Sequence, residues 1–475
     1  MESDINFILN NQEIHTKINP STVLLDFIRK TQKLTGTKEV CKEGDCGACV
    51  VLHGDLEENE LKYKTINSCL YPIQKVNGKH IVTIEGLNQE NLNIIQKEFV
   101  NQGASQCGFC TPGFIVSLTG YLLNTKEYDY DEAVNYIGGN ICRCTGYNSI
   151  KKSVNNILLD MIYVNCNNNN RLEYYVESNI LPNYFADIHE KLKKLKNNII
   201  AEEHTLKSQH SFIIGGGTDL FVQKPDELLN SDVIFNSPQN EKITTINDKV
   251  EIHSSATIDE VKEFFEKNIK IFSFSKLFKL FASKPIRNSA TIAGNIVNAS
   301  PIADLTITLL SLNAELTLSN SSKEIRKIKL DQFYSGYKSL NLTNDEIIET
   351  ISFPIPNKNS LFNFEKVSKR TYLDIASVNS AMLLEADDKK IMGARISAGG
   401  VSPIPLFLSK TSEFLLGKEI SNEIVKCAVE IAQNEISPIS DIRGNKEYKS
   451  LLLAQLIKAH FIELFPEIVN HEVLV

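Results

Sequence analysis

No window of this 475-residue sequence holds about 18 uninterrupted apolar residues, so no membrane-spanning helix is predicted. The N-terminal stretch MESDINFILNNQ lacks a basic flank and a long apolar run, and neither a secretory signal nor a transit peptide is visible. Positive charge is in short supply. With 50 Lys and Arg against 58 Asp and Glu, the net charge is −8 and the pI lies near 5.7. That balance argues against nucleic acid as the main partner, because phosphate binding needs a basic footprint. The run KLKKLKNN at 191–198 is a local exception and reads as a solvated helix face or linker. A metalloprotease helix, a Walker loop, a nucleophile elbow, an obvious carboxylate pair and an internal repeat are all missing, so no catalytic residue is predicted in this chain. A cytoplasmic location is expected.

What the sequence does have is length and cysteine. A chain of 475 residues exceeds what one hydrophobic core supports, and two to four domains are expected. A hydrophobic content of 42% with 23% charge belongs to a folded soluble protein. Of ten cysteines, eight fall between residues 41 and 144, while Cys166 and Cys427 lie apart and read as plain thiols. In a reducing compartment such a concentration points to metal or redox chemistry rather than disulfides.

The organisation follows from periodicity. INFIL and EIHTKI alternate apolar and polar residues around Asn10-Asn11-Gln12, a hairpin signal, and Ser21 precedes TVLLDFIRKTQKL at helical spacing. Residues 1–84 are therefore predicted to be a small β-rich domain with one packed helix. Residues 85–164 carry four helical patterns, LNIIQKEFV, FIVSLTGYLL, YDEAVNYI and SIKKSVNNILLDMI, with cysteines at the turns. Residues 165–200 are Asn- and Lys-rich, poor in core formers, and expected to be a linker. An α+β domain over 201–356 and a smaller C-terminal α+β subdomain over 357–475 complete the prediction.

Cys41, Cys46 and Cys49 in CKEGDCGACVV have C-x4-C-x2-C spacing, with Cys69 twenty residues further on, which is the plant-type ferredoxin arrangement for a [2Fe–2S] cluster. Gly44, Gly47 and Ala48 are small enough to let backbone N–H groups approach the sulfurs. A structural zinc is the competing reading, although zinc knuckles usually pair two similar C-x2-4-C motifs. The second set is Cys107 and Cys110 in QCGFCTPG with Cys142 and Cys144 in GGNICRCTGY. Thr111 suits a helix N-cap and Pro112 a first helical residue, placing Cys110 at the positive end of a helix dipole; Asn148 or Ser149 suits the cap of the next helix. Spacing alone leaves zinc open here, and a thioredoxin-like dithiol lacks its βαβ context.

Taken in order, CKEGDCGACVV, QCGFCTPG and GGNICRCTGY resemble the paired [2Fe–2S] domains of the molybdenum hydroxylases, the xanthine dehydrogenase and aldehyde oxidase family. The resemblance implies a β-grasp ferredoxin-like domain followed by a four-helix domain. Each would hold one [2Fe–2S] cluster, on Cys41, Cys46, Cys49 and Cys69 and on Cys107, Cys110, Cys142 and Cys144.

Downstream, SFIIGGGTDLFV sets three glycines between an apolar strand and a helical start, a loop that lets backbone N–H groups approach a phosphate. Leu220 stands where the Rossmann fingerprint needs its last glycine, so that motif fails. In FASKPIRNSATIAGNIVNASPIADL, Gly294 and Asn295 suit a second tight turn, Thr291 offers a hydroxyl, Phe281 suits packing on an aromatic cofactor and Asp304 suits accepting from a ribityl or amide donor. Core packing for Phe281 and capping for Asp304 are the plain alternatives.

This half is similar to the family's FAD domain of the vanillyl-alcohol-oxidase-like type. The similarity implies FAD contacts by Ile213, Ile214, Gly215, Gly216, Gly217, Thr218, Asp219 and Leu220, by Phe281, by Thr291, Ile292, Ala293, Gly294 and Asn295, and by Asp304, Ile348 and Lys366. KVSKRTYLDIASV resembles a mobile loop near the flavin, with Asp374 its best-matched acid.

Full-length family members carry several hundred further residues for the molybdenum cofactor, and this sequence ends at Val475. The resemblance therefore implies the iron–sulfur and FAD subunit of a split bacterial enzyme. Its partner would be a molybdopterin-binding large subunit, in a heterotetramer of two small and two large chains. Electrons from hypoxanthine or xanthine would pass through two [2Fe–2S] clusters to FAD and then NAD+. The same relay serving an aldehyde or N-heterocycle substrate, or a zinc-stabilised non-enzymatic binding protein, are the alternatives.

Overall fold

The computed structural model describes residues 2–162, 171–197, 212–236, 241–269 and 274–470. The chain packs as two compact units, Met1–Phe235 with Ser283–Ser289, and Asn236–Ala282 with Ala290–Val475. Cys166 lies outside the described residues. No helix among them is long and apolar enough to cross a membrane.

The first unit opens with the predicted hairpin, β1 (Ser3–Leu9) and β2 (Gln12–Ile18), joined through Asn10 in the left-handed conformation at φ 54°. With β3 (Val50–Glu57), β4 (Glu60–Asn67) and β5 (His80–Val82) these strands form a sheet ordered β2-β1-β5-β3-β4. β1 and β5 run parallel and the other pairs antiparallel. A short helix, Leu24–Asp26, continues as a π turn over Phe27–Thr31. Its Leu24, Phe27 and Ile28 share a core with Ile5, Phe7, Val51, Ile66 and Ile81. One helix packed on a mixed sheet is the β-grasp layout.

Four helices follow, Ile94–Asn101, Thr111–Asn124, Tyr130–Tyr136 and Asn148–Ile162. Asn93 and Gln96 form a capping box on the first, and Asp129 caps the third. In the fourth, Ile150, Val154, Ile157, Leu158 and Met161 are buried, the one-sided stripe that the spacing predicts. They pack with Phe99, Phe114 and Leu118, and also with Val50, Leu52 and Val82 of the sheet, so the sheet and the helices share a core.

The expected linker is corrected by the structure. Over 165–200, the described part forms two helices, Arg171–Glu177 and Phe185–Asn197. The first buries Tyr175, whose hydroxyl donates to the carbonyl of Leu122 at 2.9 Å. The second buries Phe185, Ile188, Leu192 and Leu195; the last three pack on Ile8 of β1, and Phe185 meets the rings of Tyr63 and His80, both 5.7 Å away. Lys193 and Lys194 face outward while Lys196 reaches Asp55 of β3 at 2.6 Å, so a lysine-rich composition concealed a core-forming stripe. Residues 165–170 and 198–200 lie outside the described residues. The unit closes with a parallel pair, β6 (Phe212–Ile214) and β7 (Val233–Phe235), and with the returning segment Ser283–Ser289. That segment is pinned by Asn288, whose amide donates to the Thr65 carbonyl at 2.8 Å.

The second unit holds β8 (Ile243–Ile246), β9 (Lys249–His253), β10 (Glu315–Ser319), β11 (Ile325–Lys329), a small ribbon of β12 (Tyr334–Gly336) and β13 (Ser339–Leu340), and β14 (Ile347–Pro354). Its antiparallel sheet is ordered β11-β10-β14-β9-β8. The helices Ile258–Asn268, Ile292–Val297 and Asp304–Ser311 contribute to its core. The C-terminal part adds a second antiparallel sheet, β15 (Ser360–Val367), β16 (Val378–Asp387), β17 (Lys390–Gly399) and β18 (Leu406–Phe407), in that order. Helices Asn422–Gln433 and Lys446–Leu464 pack with it around Met382, Ile396, Val425 and Phe461.

Candidate functional site

The first four cysteines gather as two pairs. Cys41 and Cys46 stand on the irregular loop before β3, with their sulfurs 3.3 Å apart. Cys49 sits just ahead of β3, and Cys69 sits in the one-turn helix Ser68–Leu70 that ends β4. The hydrogen bond from Cys46 holds the Cys41 thiol down at about 4, helped by the N–H of Glu43, 3.4 Å from the sulfur, while Cys46 is pushed up by the same bond. Cys69 likewise lowers Cys49 and is itself raised. In each pair the thiol lowered by its neighbour is the one poised as a thiolate, the form that binds metal. Asn67, which the sequence reading missed, fastens the loop by donating to the Gly44 carbonyl at 2.8 Å.

The second set repeats the pattern at the helix turns. Cys107 and Cys144 lie 3.5 Å apart and are exposed. Cys107 is lowered by the N–H of Phe109 and then by Cys144, which is raised in turn. Burial pushes Cys110 up to about 12, together with its hydrogen bond to Cys142. Burial opposes ionisation of Cys142 too, but the hydroxyl and N–H of Thr145 hold it at about 7. The helix after this pair starts one residue earlier than predicted. Cys110 itself is the cap, while the Thr111 hydroxyl bonds that of Ser105 at 2.8 Å. The next helix begins at Asn148, behind Tyr147 at φ 66°.

Tetrahedral zinc would draw all four sulfurs of a set around one point. A two-iron cluster takes two thiolates on each iron, and the two-plus-two arrangement fits that group.

The two sets meet at Asn140, which is 4% exposed. Its amide donates to the Gly47 carbonyl at 3.0 Å and its side-chain oxygen accepts from the Ser117 hydroxyl at 2.8 Å. The N–H of Ile141 reaches the Cys46 carbonyl at 3.0 Å. A Cβ on Gly113 would come within 2.5 Å of the Gly47 carbonyl, and one on Gly47 within 2.5 Å of the Gly139 carbonyl, so both positions require glycine.

Within the same unit, Ile213 and Ile214 end β6 and Gly215 to Asp219 form the turn into the short helix Leu220–Gln223. Gly217, at φ 82°, leaves room for the Phe221 ring. Ile214 and Phe221 are buried in one apolar cluster with Cys49, Cys69 and Leu70, against which Leu220 packs. Lys75 donates to the Gly215 carbonyl at 2.9 Å, fixing the loop beside the first cysteine set.

In the second unit, Thr291 caps the helix Ile292–Val297 by accepting from the Gly294 N–H at 3.2 Å. Ile292 and Ala293 are buried and Gly294 is exposed, with nothing but Thr291 Oγ1, at 3.0 Å, near the place of a Cβ. The side-chain oxygen of Asn295 is buried without a partner among the described residues. Such a turn, with an open glycine and an orphaned acceptor, fits the approach of a polar ligand. Asp304 and Lys366, distant in sequence, form a buried ion pair at 2.7 Å. Lys366 also donates to the Leu280 carbonyl at 2.9 Å, next to Phe281, which follows the helix Ser275–Leu280. Burial pushes the Asp304 carboxyl up despite Lys366 and Asn379. Asn379, a residue the sequence reading missed, donates to Asp304 at 2.5 Å and to the Ile302 carbonyl at 3.1 Å. Ile348 lies on β14 with its side chain in the apolar core. Asp374 closes its own loop, accepting from the N–H groups of Arg370 and Ile375 at 2.9 and 3.0 Å.

Four family models match the chain. A 2Fe-2S iron-sulfur cluster binding domain covers residues 7–74 and a [2Fe-2S] binding domain covers 83–155. The FAD binding domain in molybdopterin dehydrogenase covers 188–356, and the CO dehydrogenase flavoprotein C-terminal domain covers 364–464. Xanthine dehydrogenase 1 of Arabidopsis thaliana is 28% identical over 92% of this chain and 38% of its own length. Aldehyde oxidase of Homo sapiens is 25% identical over 97% and 39%. The chain thus spans under two-fifths of those relatives. A solved carbon monoxide dehydrogenase chain from Hydrogenophaga pseudoflava shares the fold over 55% of this chain and 92% of its own, at a TM-score of 0.51 and 22% identity.

Proposed function

We propose that this chain, an iron–sulfur flavoprotein of the molybdenum hydroxylase family, is the electron-transfer subunit of a xanthine dehydrogenase. On this reading electrons from a molybdopterin site in a larger partner pass through two [2Fe–2S] clusters to FAD and then NAD+. The clusters supply one-electron steps and the flavin joins them to two-electron chemistry. Cys107, Cys110, Cys142 and Cys144 would hold one cluster, and Cys41, Cys46, Cys49 and Cys69 the other. The flavin would be held by the loop Ile213–Leu220, by Thr291 to Asn295 and by Phe281, Asp304 and Lys366, with Ile348 contributing from β14.

The observation that carries this reading is the ordering of these groups within the first unit. The outermost set, with Cys107 and Cys144 exposed, is flanked by exposed Phe109, Ile141 and Tyr147, apolar surface suited to a protein partner. Ile141 then bonds Cys46 of the inner set, and the buried Cys49 and Cys69 share an apolar cluster with Ile214 and Phe221 of the glycine loop. This order supports a relay from an exposed apolar surface, suited to a partner, toward the glycine loop proposed for the flavin.

Purified protein is expected to carry about four iron atoms per chain, with the broad visible absorption of iron–sulfur clusters, together with FAD. Colourless, zinc-loaded protein would overturn the reading in favour of a non-enzymatic binding protein. The partner should co-purify as a heterotetramer of two small and two large chains. NAD+ reduction by hypoxanthine or xanthine, but not by aldehydes or other N-heterocycles, identifies the substrate. The reverse result supports the alternative that the aldehyde oxidase similarity, over 97% of the chain, brings forward.

A further inference from the structure

Three segments that border the two cysteine sets converge on the Asn140 side chain. Gly47 lies between Cys46 and Cys49, Gly113 follows Cys110 by three residues, and Asn140 precedes Cys142 by two. The Asn140 amide uses both its faces, donating to Gly47 and accepting from Ser117 on the helix that Cys110 caps. The glycines at 47 and 113 bring the backbones into contact around it, and the bond from Ile141 to the Cys46 carbonyl runs alongside. The Gly47 carbonyl fixes the orientation of this buried amide, because turning it over would set the amide oxygen against the carbonyl, acceptor against acceptor.

We propose that Asn140 is a positioning residue that fixes the spacing between the two cysteine sets and, through it, the electronic contact between the clusters they would hold. This rests on the two-cluster reading above. No other side-chain chemistry of similar size does the same work. An aspartate keeps the shape but turns an acceptor toward the Gly47 carbonyl, repelling the loop that Asn140 draws in. Removing the Ser117 hydroxyl leaves the bond to Gly47 in place and takes away the partner of the amide oxygen, a milder disturbance of the same contact.

The test uses the full chain, comparing the unaltered protein with Asn140→Asp and Ser117→Ala. After dithionite reduction each [2Fe–2S] cluster takes up one electron and becomes paramagnetic, and two neighbouring paramagnets split each other's EPR lines. The unaltered protein is expected to show two split signals. Asn140→Asp should keep its iron but lose or shift the splitting, and Ser117→Ala should shift it in the same direction by less. Full iron with unaltered splitting in Asn140→Asp overturns the proposal. If that variant loses iron, Ser117→Ala decides, and full iron with unaltered splitting there overturns it equally. Iron loss from both variants makes Asn140 a folding residue and also overturns it. An unaltered protein without two iron–sulfur signals would instead sink the two-cluster reading.

Discussion

His53, His80 and His460 are held neutral by burial, each with a pKa lowered to about 3 from the ordinary 6.5. His80 is bonded at both ring nitrogens, to the Tyr63 hydroxyl at 2.7 Å and the Asn10 carbonyl at 2.8 Å, whereas one nitrogen each of His53 and His460 has no partner among the described residues. Between pH 6.5 and about 3 the unfolded chain binds protons that the folded chain refuses, so their stabilisation is full above pH 6.5 and is lost as pH falls across that window. Each imidazole accounts for about 2 kcal/mol lost by pH 5. Urea midpoints measured from pH 7.5 to 5 should fall steeply, and His460→Phe should flatten the slope. The Asp304–Lys366 pair sits at the other extreme, two opposite charges buried together. Lys366→Met leaves the carboxylate uncompensated and should cost about 3–5 kcal/mol, with flavin content falling in the same preparation. Pairing it with Asp304→Asn should restore part of the stability but not the flavin. At the exposed cysteine pair, Cys107→Ser should lower iron from about four to about two atoms per chain while leaving the flavin bound.

Among the elements, the helix Phe185–Asn197 teaches most about what sequence conveys. Its apolar residues at 185, 188, 192 and 195 follow helical spacing, yet they stand among Lys191, Lys193, Lys194 and Lys196 in a stretch that composition assigns to a linker. Periodicity was the better guide, because a surface helix needs only one apolar stripe and its other faces are free to be charged. Leu192→Ala, which opens a cavity against Ile8, should cost about 2–5 kcal/mol, measurable by chemical denaturation. The cysteine turns were legible for the opposite reason. Each cysteine motif is local, and a residue such as Pro112 serves the helix start in which it stands. Asn140, Asn67 and Asn379 were not legible, since an asparagine announces no partner and Asn379 meets Asp304 from 75 residues away.

On the scale of the whole molecule, the eight clustered cysteines all belong to the first unit, and each unit has its own apolar cores. Cys110 and Cys142 border the helical core and Cys49 and Cys69 the cluster around the glycine loop, so metal loss should loosen that unit from within. Calorimetry before and after iron chelation is expected to lower the unfolding temperature of the first unit while the transition of the second stays in place. The boundaries between units were the least legible feature, because packing assigns Ser283–Ser289 to the first unit across a long stretch of intervening chain. That return has a bearing on biosynthesis. The segment supplies Ile286 beside Leu70 and Asn288 on Thr65, so the amino-terminal part leaves the ribosome unfinished until residue 289 has been translated, by which time β8, β9 and the helix Ile258–Asn268 of the next unit have already been made. Cofactor insertion into the nascent iron–sulfur part would therefore act on a chain whose last structural piece arrives late, a delay that truncation at residue 235 would make permanent.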